Sequence, residues 1–243
     1  MRFLLLALAF VFGTALGVDE PTCKDAHPSA LEVFQELPYE QGVACLYTVT
    51  ATDEYITISF FETSNGHYNA ISRNDSLIAL EDMQSTPPHL DATGENRFQI
   101  THTFPRDIYV IELAKHESTL SVAGAYKSIV LNEVGTQEMP QTITFSIKPS
   151  ELEKLSFETL TQKQAFNAAA LMLASSDVGS SATITSDKAV LFDDPSKDAR
   201  SKAYLIKGDI VTLLQFKDNW LKIRYITRKG SSIEKWIGLA EIL

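Results

Sequence analysis

Patterns that carry chemistry are missing from this chain. Its five histidines, His27, His67, His89, His102 and His116, form no HExxH or HxH pair and no cluster with cysteine at zinc spacing. No GxSxG elbow, phosphate-binding loop or dinucleotide glycine pattern occurs either. The expectation is a protein that is not an enzyme and needs no cofactor or metal. Basic residues are also scarce, with 21 Lys and Arg against 31 Asp and Glu and a formal charge of −10. That balance disfavours nucleic acid and anionic lipid, whose phosphates require cations. Cysteine occurs only twice, so only one pairing is possible. Beyond the first residues, no second apolar run could span a bilayer.

The opening MRFLLLALAFVFGTALG has Arg2 as its charged start, an apolar run from Phe3 to Phe12, and Ala15 and Gly17 placed as a cleavage site. It reads as a signal peptide over residues 1–17; the alternative, a membrane anchor, needs roughly 20 apolar residues. No cysteine sits directly after the cleavage site for lipid attachment. Cleavage leaves 20 basic against 31 acidic residues, a formal charge of −11. The expected location is periplasmic or secreted, where Cys23 and Cys45 form a disulfide by default. The alternative of a reactive pair has only Lys24 beside it, which is weak support for a lowered thiol pKa.

Residues 18–149 read as an antiparallel β-sandwich entered by one short helix. That helix is expected in HPSALEVFQELP, where Ser29 caps, Leu31, Phe34 and Leu37 share a face and Pro38 ends it. Strand alternation follows: Ile56, Ile58 and Phe60; Phe98, Ile100 and Phe104; Ile143, Phe145 and Ile147. Each set is interleaved with polar residues, the sign of one buried and one solvated face. His102 falls on the apolar side and reads as a core histidine. The segments between strands, among them STPPHLDATGEN (Ser85 to Asn96) and NEVGTQEMP, are turn-like. Residues 150–179 read as a helical connector. Ser150 with Glu153 and Thr161 with Gln164 have capping-box spacing, and Phe166, Ala169, Ala170 and Leu173 would share a helix face. SSDVGSSAT follows as a flexible joint.

In residues 180–243, LIKGDIVTLL enters a strand through the Lys207-Gly208-Asp209 turn. NWLKIRY points Trp220, Lys222 and Arg224 one way and Leu221, Ile223 and Tyr225 the other. Five short strands with a single apolar face each need a sheet that curls on itself, hence a barrel. With VLFDDPS opening a long loop and WIGLAEIL closing the chain, this stretch resembles the bacterial SH3-like (SH3b) domains of exported proteins.

The resemblance implies an SH3-like β-barrel and a groove where Phe192 and Trp220 stand at aromatic positions. Asp194, Gly238 and Glu241 replace other groove residues, so proline-rich ligands are not expected. Trp220 with Asp193, Asp194, Asp198 and Asp218 suggests a site for a cationic peptide, through cation–π attraction and charge pairing. Alternatively, Trp220 and Trp236 fill barrel faces and the acids solvate loops. The fold expected is therefore mainly β: a sandwich, a short helical connector and a barrel. The expected function is an exported binding protein whose module contacts a cell-wall peptide or another peptide. The alternative partner is a basic toxin or hydrolase neutralised by an acidic inhibitor.

Overall fold

A computed structural model describes residues 22–84, 87–131 and 142–243. The expected signal peptide, Ser85 with Thr86, and the NEVGTQEMP turn lie outside these residues. The described residues are mainly β, arranged in three antiparallel sheets. Among the described residues no helix is long and apolar enough to cross a membrane.

A single-turn helix, α1 (Cys23–Ala26), leads into the first sheet: β1 (Glu32–Tyr39), β2 (Gly42–Thr48), β3 (Tyr55–Ser64) and β4 (His67–Ala79), paired in that order. The Thr22 side chain caps α1 by accepting from the Asp25 amide. The helix expected around Leu31 to Leu37 is thus strand β1. Its register skips one residue between Val33 and Gln35, so Phe34 is a bulge. That extra residue places Phe34, Leu37 and Tyr39 against one cluster while Val33 packs against another. A helical spacing of three is thereby met by a strand.

Strand β2 is buried along its whole length, and β3 is buried from Ile56 to Phe61. One face, with Ala44, Leu46, Ile58 and Phe60, enters the main core. The other, with Val43, Cys45, Tyr47 and Phe61, packs beneath Cys23 and Ala30. The segment carrying α1 is therefore a cover for the outer face, and Cys23–Cys45 fastens it, with Cα atoms 5.7 Å apart. Thr57 and Ser59, expected to be solvated, are buried for the same reason, and Tyr47 Oη lies 3.1 Å from Ser59 Oγ.

The second sheet comprises β5 (His89–Gly94), β6 (Arg97–Thr103), β7 (Asp107–His116), β8 (Thr119–Val130), β9 (Thr142–Ile147) and β10 (Leu171–Leu173). Half of the expected loop Ser85 to Asn96 is therefore strand β5, whose Leu90 is fully buried. Gln35 joins the edges β1 and β5: its amide donates to Leu90 O at 2.6 Å and accepts from Leu90 N at 2.8 Å. Lys115 of β7, with a side chain 4% exposed, pairs with Glu62 of β3 at 2.5 Å and donates to Gln41 at 2.9 Å. Phe60 and Phe98 meet edge-to-face across the two sheets, 4.9 Å between ring centres.

The helices of the connector are only α2 (Pro149–Leu152), α3 (Gln162–Ala165) and short 3-10 turns. The Thr161–Gln164 capping box forms, but the alanine-rich run does not continue as a helix. Asn167 accepts from the Ala169 amide, and Leu171–Leu173 then pairs with β9. Phe166 and Ala170 pack on the main core while Leu171 and Leu173 enter a different cluster. A strand reaches both and satisfies an otherwise open edge, which outweighs alanine's helix propensity. The expected joint after it is tied down rather than running free. Asp177 accepts from the Thr144 amide at 3.1 Å, and Gly179 and Ser180 exchange backbone bonds with Leu213.

The third sheet, in the order β11-β14-β15-β16-β12-β13, comprises β11 (Ser181–Thr183), β12 (Ala189–Phe192), β13 (Arg200–Leu205), β14 (Ile210–Lys217), β15 (Trp220–Ile226) and β16 (Ser232–Gly238). This order is open at β11 and β13, so hydrogen bonds do not close it into the expected barrel. Its apolar face is instead extended onto the second sheet. Leu213, Phe216, Leu221 and Ile223 share a cluster with Phe145, Leu171 and Leu173, and Phe145 and Phe216 are 4.4 Å apart. Gly208 has φ +90, which lets the tight turn before β14 form without strain.

Candidate functional site

A groove of about 830 Å³ lies on the third sheet. Its floor is Val190, Phe192 and Trp220, with Leu239 and Leu243 beside them. Three local features build it. First, β14 and β15 are joined by Asp218 and Asn219, both at positive φ (50 and 67), the pattern of a type I′ turn. Asn219 O accepts from the Leu239 amide at 2.9 Å, which holds this hairpin against the final 3-10 turn, Leu239–Ile242. Trp220 is thereby fixed in the groove floor.

Second, the long loop after β12 folds back on itself. Asp193 N donates to Ala199 O, and Phe192 stands opposite Arg200 in the β12–β13 register. Opposite residues in a ladder share a face, so Arg200 is delivered to the side of the sheet that carries Phe192. Third, the end of the chain is tethered near β11. Thr185 Oγ1 donates to the carbonyls of Glu241 and Leu243, both at 3.1 Å, and Ser186 Oγ donates to the Glu241 carboxylate.

Phe192 and Trp220, both half-buried, pack edge-to-face with ring centres 4.7 Å apart. Of the expected site residues, the structure thus brings Phe192, Asp218 and Trp220 together, along with Gly238 and Glu241. It does not bring Asp193 and Asp194 to them. Side chains alternate along an extended chain, so Asp193 faces away from Phe192, and its carboxylate is bonded by Lys235. Neither Asp193, Asp194 nor Asp198 lines the groove. Trp236 pairs in register with Phe192 but is buried and is not part of the lining.

Sequence reasoning missed Lys197 and Arg200, which stand at the groove's edge. The signal available was the length of the loop from Phe192 to Arg200, enough to return and place its far end beside its start. Elsewhere the histidines do not converge. His27 packs at 4.9 Å from Tyr47, His89 pairs with Asp91 on the surface, and His102 is buried beside Phe104 and Tyr109 under Phe166. Among the described residues no group of three or more His, Cys, Asp or Glu could hold a metal ion. No protein-family model, curated protein or solved structure matches the chain.

Proposed function

We propose that this chain is a non-catalytic, exported binding protein whose C-terminal third is an SH3b-like module that holds a cell-envelope peptide in the Phe192–Trp220 groove. The first two sheets, facing each other across a shared core, act as the sandwich that carries it. The observation that bears most weight is the groove. Two half-buried aromatic rings form an apolar floor, while a long loop and a tight hairpin turn supply polar groups at its sides. Concave, largely apolar sites with a few placed polar groups are the usual form of a ligand site. The Cys23–Cys45 disulfide supports an oxidising compartment.

The test is retention of the protein lacking residues 1–17 on purified peptidoglycan sacculi, compared with Trp220→Ala. The expected result is retention of the native chain and its loss in the variant at an unchanged melting temperature. Equal loss of melting temperature and binding makes Trp220 a core residue. A native chain that stays wholly in the supernatant refutes wall binding, and a stoichiometric basic protein recovered by cross-linking would put an inhibitor in its place.

A further inference from the structure

The groove does not share the acidic excess of the whole molecule. Acids outnumber bases by 31 to 21 in the sequence, yet Lys197 and Arg200 both line the groove. Both are exposed, and neither takes part in the ion pairs formed among the described residues. Two carboxylates, Asp218 and Glu241, share the lining with them. Asp193 is held by Lys235 outside the groove, and Glu241 accepts from Ser186. Asp218, on the hairpin turn, is the exposed acid of the lining.

We infer that the groove reads a carboxylate: its occupant is an extended peptide that sets a carboxylate against Lys197 and Arg200 and its apolar groups on Trp220. This rests on the peptide-binding reading above and reverses the charge of the ligand expected from the sequence. Arg200 is the stronger of the two determinants, because its planar fork matches both carboxylate oxygens while a lysine acts as a point charge. Asp218 on the hairpin turn accommodates an amine further along the same peptide. Cell-wall stem peptides have this composition: free carboxylates, an amine on the diamino acid, and alanyl methyls that can lie on an indole.

The experiment titrates the protein lacking residues 1–17 with synthetic stem tetrapeptides, in lysine and diaminopimelate forms. Each is used with free carboxylates and with all carboxylates amidated, and calorimetry reads the binding. The free acids should bind ~10-fold more tightly than the amides. Lys197→Gln and Arg200→Gln should each weaken the free acid ~5-fold and leave the amide unchanged, as for a partly exposed ion pair. Lys202→Gln, an exposed cation of β13 outside the groove, should change nothing. Equal affinity for acid and amide, with binding still lost in Trp220→Ala, would overturn the carboxylate assignment and leave the peptide site standing. Binding of neither form would overturn both.

Discussion

Asn74 offers a direct test of how the connector is held to the first sheet. It is fully buried, and its amide makes four hydrogen bonds. Nδ2 donates to Phe157 O at 2.5 Å and to Leu160 O at 2.8 Å; Oδ1 accepts from Ser76 N at 2.9 Å and Leu77 N at 2.8 Å. Two donated protons and two lone pairs are the full capacity of the side chain. Asn74→Ala leaves two carbonyls and two amides without this partner around Phe157, Leu160 and Leu77, all at most 4% exposed. A buried polar group that loses its partner costs ~1–3 kcal/mol, but neighbouring backbone relaxes and water enters, so a total of ~3–5 kcal/mol is expected. Asn74→Asp keeps the acceptor and replaces both donors with a carboxylate oxygen facing two carbonyls. It should be as damaging near neutral pH and less so in acid, where the protonated group donates one bond. Urea unfolding of both variants, followed by near-UV circular dichroism and tryptophan fluorescence, measures the loss. A shift below ~1 kcal/mol in Asn74→Ala would show that these bonds are offset by others and that Asn74 does not fasten the connector.

Three further outcomes follow from single contacts. Replacing Cys23 and Cys45 together by alanine opens a loop with a sequence separation of 22; the chain-entropy loss is about 3 kcal/mol, read as a lower urea midpoint. An unchanged midpoint would mean that the cover over β2 is held by packing alone. Gln35→Ala removes both bonds to Leu90 and should cost ~2 kcal/mol, whereas a change under a few tenths would show that water replaces the side chain. Burial alone would push the Glu158 carboxyl up, but hydrogen bonds from Ser156 and Ser72 outweigh it and hold the pKa below its usual value. A depressed folded pKa contributes stability above the unfolded value of about 4.3, and that contribution is lost as pH falls through the folded pKa. The stability advantage of the native chain over Glu158→Gln should therefore be constant above pH ~5 and vanish in stronger acid, and an advantage that persists there would refute this role.

Much of the fold was legible where one rule acted alone. The alternation in β6, β9 and β15 appears in the structure with the expected faces, because each of these strands turns one side to a core and the other outward. The misreadings occur where two constraints compete. In β1 the bulge at Phe34 reproduces a helix-like spacing, and periodicity alone cannot separate the two. In the alanine-rich run, propensity favoured a helix, while the open edge of β9 and the need to reach two clusters favoured a strand. Neither cluster is visible in a local window. The buried faces of β2 and β3 were hidden for a related reason: their cover comes from a segment before β1, and only the cysteine spacing hinted at it.

The groove shows the same division at the scale of single side chains. Phe192 and Trp220 are recoverable because each stands at the end of a short strand, Phe192 closing β12 and Trp220 opening β15, where the adjoining ladder fixes its face. The charges are not, because proximity in sequence says little about which way a side chain faces. Asp193 is adjacent to Phe192, and the alternation of an extended chain sends its carboxylate to Lys235. Arg200 is eight residues away, and the β12–β13 pairing returns it opposite Phe192. A count of loop residues therefore gives a wholly acidic site where the pairing adds two cations to it. The sign of a site's charge is a property of the register rather than of the composition, so the ligand of an acidic protein need not be a cation.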